Sequence, residues 1–315
     1  MTHLFTLDDW PNIHQTVAQA ALFKKDPLKA AQLGRGKTLG LVFLNPSLRT
    51  RMSTEKAAQN LGMNVLVLNI NQDSWQLEFD HGTVMEGIRS EHVKEAAAVI
   101  SQYCDIVAIR AFAKLQNRDK DQAEQVLQSF IQYAQIPVVN LESAMAHPLQ
   151  ALADAMTLNE HPIPHRPKVV LSWAPHPKAL PQAVPNSFIR MMKQQEADLI
   201  ITHPEGYALD PKLTQGIPCI TDQEEAFQEA DFIYGKNWSS YESYGQVLRT
   251  DSDWMITEKK MARTREAKFM HCLPVRRNVV VADGVLDSPN SLVIEQANNR
   301  TYTAQAVLQK ILQDG

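Results

Sequence analysis

The chain has 315 residues, 31 of them basic and 35 acidic for a net charge of −4, and 44% of it is hydrophobic. At roughly 150 residues per domain the length points to two domains, and the apolar content excludes a disordered chain. Balanced charge argues against a sequence-blind nucleic-acid or membrane-surface binder.

Short runs rich in Val, Ile and Leu are predicted as strands: Leu39–Leu44, Val65–Asn69, Asp105–Arg110, Val138–Glu142, Val169–Trp173, Leu199–Thr202, Phe232–Tyr234 and Phe269–His271. Helical spacing is predicted over Thr50–Leu61, Glu91–Tyr103, Gln122–Ala134, Pro148–Asn159, Ala183–Gln195, Glu224–Glu229 and Thr301–Leu312. Strands apolar on both faces suit a parallel sheet covered on each side by helices. The alternation therefore reads as doubly wound α/β, in two parallel-sheet domains.

One domain is expected over residues 1–147, with a C-terminal helix, 291–315, packing back on it. The other is expected over 148–290. The seam lies at the helix from Pro148 and at His161–Pro167, whose three prolines stop a helix. Two irregular stretches stand out. Asn71–Ser90 is polar, long for a strand–helix connection, and carries Trp75. Pro175–Pro185 holds four prolines in eleven residues.

No apolar run approaches the ~20 residues that span a bilayer. The opening MTHLFTLDDW carries Asp8 and Asp9 and has neither region of an export signal, so a cytoplasmic location is expected. Cys104, Cys219 and Cys272 form no CxxC pair, which gives neither a disulfide framework nor a zinc site. No metal and no cofactor is expected.

Ligands of open α/β sheets bind beyond the carboxyl ends of the strands. After the first strand comes Asn45-Pro-Ser47-Leu48-Arg49-Thr50-Arg51, opening a helix. Arg110 ends the third strand. Glu142 ends the fourth, followed by His147-Pro-Leu-Gln150. In the second half the corresponding places hold His176, Lys236 and Cys272-Leu273-Pro-Val-Arg276-Arg277. The two domains thus point cations and amide donors into what reads as a shared cleft.

Each residue also has a plainer reading. Ser47 and Thr50 are ordinary helix caps, a lone His147 is commonly structural, and Cys272 is a small buried apolar residue. Arg49 and Arg51 are harder to dismiss, because the positive end of a helix dipole disfavours cations. A bound anion would neutralise them, and backbone N–H groups would complete a phosphate site. Gly34-Arg-Gly-Lys-Thr38 is no phosphate loop, since Ala31 stands at the first glycine position and a strand follows. No GxGxxG follows a strand, and His161 and His165 have no acidic partners in sequence that would make a metal site.

Together, Phe43-Leu-Asn-Pro-Ser-Leu-Arg-Thr50-Arg51, His147-Pro-Leu-Gln150 and His271-Cys-Leu-Pro274 resemble the transcarbamylase family, whose members move a carbamoyl group from carbamoyl phosphate to an amine. The match covers nearly the whole chain in order and spacing. Plain ornithine carbamoyltransferases carry a Ser-Met-Gly motif, whereas this chain reads Asp231-Phe-Ile-Tyr-Gly-Lys236-Asn-Trp-Ser-Ser240. That stretch resembles the branch that carbamoylates N-acylated ornithine, where a Lys replaces the ornithine signature. The same branch has a proline-rich loop forming a chain knot, and Pro175–Pro185 resembles it, an exception to unknotted connections.

Acetyl-type relatives carry Glu just before the Glu-His pair and a Lys shortly after Arg-Arg-Asn, and succinyl types carry Pro at the first place. Here those places hold Ser90 and Val280. A Glu would repel a succinyl carboxylate, so Ser90 permits the larger acceptor. Cys104-Asp-Ile106 and Val275-Arg-Arg-Asn278 also resemble the succinyl type. The resemblance therefore implies arginine biosynthesis with N-succinyl-L-ornithine as acceptor, and N-acetyl-L-ornithine as the alternative.

It further implies that Ser47, Leu48, Arg49, Thr50 and Arg51 grip the phosphate, while Thr50, Arg110 and His147 polarise the carbonyl. Gln150, the Cys272 and Leu273 carbonyls and Arg300 are expected around the carbamoyl NH2 and phosphate. Glu142, His176, Lys236, Arg277 and Ser90 are expected on the acceptor, Arg277 being chosen over Arg276. Trp75 would reach the site of a neighbouring subunit, because relatives are homotrimers. Three rival readings remain: a plain ornithine or aspartate carbamoyltransferase, a non-catalytic carbamoyl phosphate-binding regulator, and a solute-binding module. The last would need an export signal.

Overall fold

A computed structural model describes residues 2–70 and 72–314. Met1, Asn71 and Gly315, at the edges of the expected first domain, the long loop and the C-terminal segment, lie outside the described residues. The chain divides into two compact units. The first is Met1–Lys114, Asp119–Ala153 and Asn299–Gly315, and the second is Leu115–Arg118 and Asp154–Asn298.

In chain order the elements begin with α1 (Ile13–Lys25), β1 (Thr38–Phe43), α2 (Leu48–Asn60), β2 (Asn64–Asn69), β3 (Leu77–Glu78), β4 (Glu91–His92) and α3 (Val93–Tyr103). There follow β5 (Ile106–Arg110), α4 (Arg118–Gln122), α5 (Gln125–Tyr133), β6 (Val138–Glu142) and α6 (Pro148–Glu160). Next are β7 (Lys168–Trp173), α7 (Ala183–Met192), β8 (Asp198–Thr202), α8 (Pro211–Thr214), β9 (Cys219–Ile220) and α9 (Gln223–Phe227). The chain closes with β10 (Phe232–Lys236), α10 (Glu258–Met261), β11 (Lys268–Met270), α11 (Asp283–Leu286) and α12 (Val293–Asp314).

The first unit is built on a four-stranded sheet of order β2-β1-β5-β6, parallel throughout. Every residue of β5 and β6 is buried, as strands covered by helices on both faces must be. Val42, Val107, Ile109 and Val138 meet Val93 of α3 and Leu127 and Phe130 of α5 in one apolar cluster. The second unit carries a five-stranded parallel sheet, β11-β10-β7-β8-β9. Its core joins Val170, Ile233 and Phe269 to Phe227, Val285 and Val293. Two α/β units with parallel sheets are therefore present, as the strand pattern requires.

Differences from the sequence reading have local causes. Helix α1 is not among the predicted helices; it buries Ile13, Val17, Ala20 and Phe23 at helical spacing, behind Asn12, whose side chain accepts from the Gln15 N–H. Helix α3 begins at Val93 rather than Glu91, because Glu91 and His92 pair with Leu77 and Glu78 as strands. Helix α5 begins at Gln125, because Glu124 is left-handed (φ 51°) and separates it from α4. Helix α12 spans Val293–Asp314, within the expected 291–315 and eight residues ahead of Thr301, where helical spacing is predicted to begin.

Candidate active site

Strand β1 delivers the chain to Ser47, an extended residue (φ −154°, ψ 128°) whose side chain accepts from the Thr50 N–H at 3.3 Å and so caps α2. No acidic residue lies in the first turn of α2, so its positive end is left to Arg49, Thr50 and Arg51. Arg49 is half-buried. Arg51 is exposed, and its Nε donates to Glu55 one turn on at 3.0 Å.

Thr50 is the centre of a buried cluster in the first unit. Its Oγ1 accepts from Arg300 Nη2 at 2.6 Å and from Arg110 Nη1 at 3.3 Å. A hydroxyl has two lone pairs and one hydrogen. With both lone pairs engaged by guanidiniums, the hydrogen is what Thr50 has to offer an oxygen lying beyond it.

Arg110 ends β5 at a shift of register against β6, where it pairs with Glu142. Its Nη1 forms a short ion pair with Glu142 Oε2, and its guanidinium lies 4.2 Å from the Phe112 ring centroid. Asn45 holds that ring's backbone, accepting from the Phe112 N–H at 2.7 Å. His147, at the start of α6, places Nε2 3.3 Å from Glu142 Oε2 and 3.5 Å from Arg300 Nη2. Thr50, Arg110, Glu142, His147 and Arg300 thus converge, all of them buried. Gln150 is buried on the first turn of α6.

Such an array has two uses. The α2 start and its arginines suit an anion. Thr50, Arg110, Arg300 and His147 form a preorganised set of donors that would stabilise negative charge on an oxygen as it develops.

The second unit has its own cluster at the carboxyl ends of β7 and β10. Lys236, only 8% exposed, pairs in register with Trp173 and donates from Nζ to the Asn237 carbonyl at 2.9 Å. Asn237 in turn donates to the Ala174 carbonyl at 2.8 Å. His176 Nδ1 lies 2.8 Å from the Lys178 carbonyl, and its Nε2 accepts from Arg276 Nε at 3.1 Å. Nδ1 also faces the Lys178 N–H at 3.1 Å, and acceptance from Arg276 at Nε2 fits a neutral ring. Burial is the main cause lowering the His176 pKa, and the positive charges of Lys236, Arg276 and Lys178 add to it, against the opposing bond to the Lys178 carbonyl.

After β11, the Leu273 N–H donates to His271 Nδ1 at 2.8 Å, and Leu273 is left-handed (φ 54°). For a branched residue that conformation costs about 1–3 kcal/mol and is a mark of functional turns. Cys272 is buried.

The two neighbouring arginines differ. Arg277 is tied to Asp287 at 2.6 Å and Asp283 at 2.9 Å, whereas Arg276 lies against His176. Arg276 is thus the arginine placed beside His176, and Arg277 is the one held by carboxylates. The signal separating them, acidic partners six and ten residues on, lies downstream of the motif. Val280, at the place where acetyl-type relatives carry Lys, is buried in the apolar core of the second unit with Ile256 and Val281. Glu142, expected on the acceptor, is engaged by Arg110 and His147 through Oε2.

Ser90 is exposed, in front of β4, and its N–H donates to the Gln76 carbonyl at 3.3 Å. Trp75 is 57% exposed and donates from Nε1 to Glu91 Oε2 at 2.7 Å. Exposed Val84 and Ile88 lie in the same loop.

A helix start carrying arginines beside a buried Thr–Arg–His cluster, on parallel α/β units, suits an enzyme that transfers a group from an anionic donor. Residues 2–160 match the carbamoyl-P binding domain of aspartate/ornithine carbamoyltransferase, and residues 181–311 match its Asp/Orn binding domain. The chain belongs to the aspartate/ornithine carbamoyltransferase family. It is 49% identical over 310 residues to the N-succinylornithine carbamoyltransferase of Bacteroides fragilis (strain 638R), covering 98% of each chain. It is 37% identical over 331 residues to the N-acetylornithine carbamoyltransferase of Xanthomonas campestris pv. campestris, covering 98% of this chain and 97% of that one. Among solved structures it resembles, with a TM-score of 0.90 and 36% identity over 99% of this chain and 100% of the other, an N-acetyl-L-ornithine transcarbamylase. That protein has one glutamate changed to serine and is complexed with carbamyl phosphate and N-succinyl-L-norvaline.

Proposed function

We propose that the protein transfers the carbamoyl group of carbamoyl phosphate to the δ-amine of N-succinyl-L-ornithine, giving N-succinyl-L-citrulline and phosphate, as a step of arginine biosynthesis in the cytoplasm. The observation that carries this reading is the buried Thr50–Arg110–Glu142–His147–Arg300 cluster beside the α2 start. It combines an anion site with donors for a carbonyl oxygen. The choice of acceptor draws on the 49% identity to an N-succinylornithine enzyme and on Ser90. A carboxylate at that position would repel a succinyl group, whereas a serine does not.

In this mechanism Ser47, Leu48, Arg49, Thr50 and Arg51 bind the phosphate, through backbone N–H groups and guanidiniums. Thr50, Arg110, His147 and Arg300 polarise the carbonyl and stabilise the oxyanion of the tetrahedral intermediate. Removing one such donor costs about 3–4 kcal/mol of barrier. Gln150 and the Cys272 and Leu273 carbonyls suit a carbamoyl NH2. The neutral δ-amine attacks, the C–O bond to phosphate breaks, and the leaving phosphate takes the amine proton. Positioning and fixed charge then supply most of the rate.

On the acceptor, Lys236, Arg276 and His176 meet carboxylate and amide. Glu142 Oε2 is held by Arg110 and His147, which leaves Oε1 to accept the acceptor's amide N–H. The loop 72–90, with Trp75, reaches a neighbouring subunit of a homotrimer, a role supported by the exposed Trp75, Val84 and Ile88. The proline-rich loop forms the chain knot. Supporting this, the Leu180 carbonyl accepts from the Ser239 N–H at 2.9 Å, and Gln182 Nε2 donates to the Ser239 carbonyl at 2.8 Å.

Calorimetry with unreactive acceptors lacking the δ-amine tests the reading. With carbamoyl phosphate present, N-succinyl-L-norvaline is expected to bind at least tenfold more tightly than N-acetyl-L-norvaline. The reverse order would assign the protein an acetyl acceptor.

A further inference from the structure

Four residues separate Glu142 from His147, and three of them converge on one carboxylate that the mechanism has not used. Glu124 is 8% exposed. Its Oε1 accepts from Ser143 Oγ at 2.6 Å and from the Met145 N–H at 2.7 Å, and its Oε2 from the Ala144 N–H at 3.3 Å. The turn is closed by the Ser143 N–H donating to the Ala146 carbonyl at 2.8 Å. Asn140 Nδ2 also donates to Ser143 Oγ at 2.9 Å.

Holding a carboxylate there is costly in two ways. Glu124 is left-handed (φ 51°, ψ 36°), a conformation L side chains rarely adopt. It precedes α5 yet makes no side-chain cap bond to that helix, so helix initiation does not explain it. Burial is the main influence on its carboxyl and pushes its pKa up, against the hydrogen bonds from Ser143, Met145 and Ala144. What this placement achieves is the shape of the 143–146 turn.

We propose that Glu124 is a positioning residue for carbamoyl transfer. By gathering Ser143 Oγ and the N–H groups of Ala144 and Met145, it fixes the turn that sets Glu142 and His147 against Arg110, Thr50 and Arg300. It acts through the backbone of the turn. The inference rests on the carbamoyl-transfer reading of that cluster.

Misplacing a polarising group by about 1 Å is enough to cost on the order of a hundredfold in rate. Glu124→Gln keeps the shape but turns an NH2 toward one of the N–H donors. Steady-state kinetics of this variant, measured per folded molecule, are expected to show kcat reduced about 10- to 100-fold, with the KM of carbamoyl phosphate, gripped at the α2 start, changed less than about twofold. Ser143→Ala, which removes one arm, should lower kcat in the same sense by a smaller factor. A purely structural Glu124 would lower the melting temperature and leave kcat unaltered, and that result would overturn the proposal. Should Glu124→Gln fail to fold, an unchanged kcat in Ser143→Ala overturns it alone. Wild-type turnover is the control, since an inactive wild type would instead refute the carbamoyl-transfer reading itself.

Discussion

Arg300 Nη2 donates to Thr50 Oγ1 across 2.6 Å, joining the final helix of the chain to the first turn of α2. Together with Arg110 on the other lone pair, it commits the Thr50 hydroxyl to donating outward. The orientation of the Thr50 hydroxyl is thus decided by two guanidiniums that are themselves buried.

Thr50→Val keeps the volume of the side chain and removes the acceptor of both arginines. Leaving buried donors without that partner is expected to destabilise the protein by about 1–3 kcal/mol. The lost oxyanion donor should lower kcat by about 100-fold or more. Denaturant titration and steady-state kinetics of the variant measure both. A kcat within threefold of wild type would remove Thr50 from the chemistry.

Arg49→Ala should abolish measurable turnover, a loss on the order of a hundredfold or more, while the melting temperature stays within a few degrees. Near-normal activity would take the phosphate away from the α2 start.

Lys236→Ala should raise the KM of the acylornithine by about 10- to 100-fold, because a charged hydrogen bond to a carboxylate contributes about 1.5–3 kcal/mol. The KM of carbamoyl phosphate should move less than about twofold. An equal rise in both would contradict the acceptor role.

His176 gives a pH signature. Its folded pKa lies below the ordinary value of 6.5, chiefly through burial and then through Lys236, Arg276 and Lys178. Above 6.5 neither state of the protein holds the proton. As the pH falls below 6.5, the unfolded chain takes up a proton that the folded one refuses, so stability declines until the folded pKa is passed. The stability difference between wild type and His176→Gln is expected to shrink as the pH is lowered from 7.5 to 5.5. A difference that grows over that interval would show the ring to be held protonated.

Much of the site was legible because its residues follow strands. Arg110, Glu142, His147 and Lys236 all end or follow a parallel strand, where side chains must emerge from the sheet. What escaped depends on contacts between distant segments. Arg300 lies in a polar stretch of the expected 291–315 helix, and only the fold brings it to Thr50. Arg276 and Arg277 differ only in the partners the fold brings to them. Val280 stands within Val279-Val-Val281, and it is buried in the apolar core with Ile256 and Val281. Glu124 has no motif, since its partners lie nineteen to twenty-one residues later.

Ser90→Glu introduces the carboxylate that the succinyl reading requires to be absent. It is expected to lower kcat/KM for N-succinylornithine about tenfold or more, a change of about 1.4 kcal/mol, and to affect N-acetylornithine less. Equal losses for both acceptors would place Ser90 away from the acyl group.

The most direct measurement is ureido-product formation by the wild-type protein given carbamoyl phosphate and, separately, N-succinylornithine, N-acetylornithine or ornithine at equal concentration, with phosphate release followed in parallel. The account predicts N-succinylcitrulline and phosphate in equal amounts, with the succinyl compound preferred at least tenfold in kcat/KM. Turnover of free ornithine alone would contradict the role of Lys236, and phosphate release without any ureido product would contradict carbamoyl transfer itself.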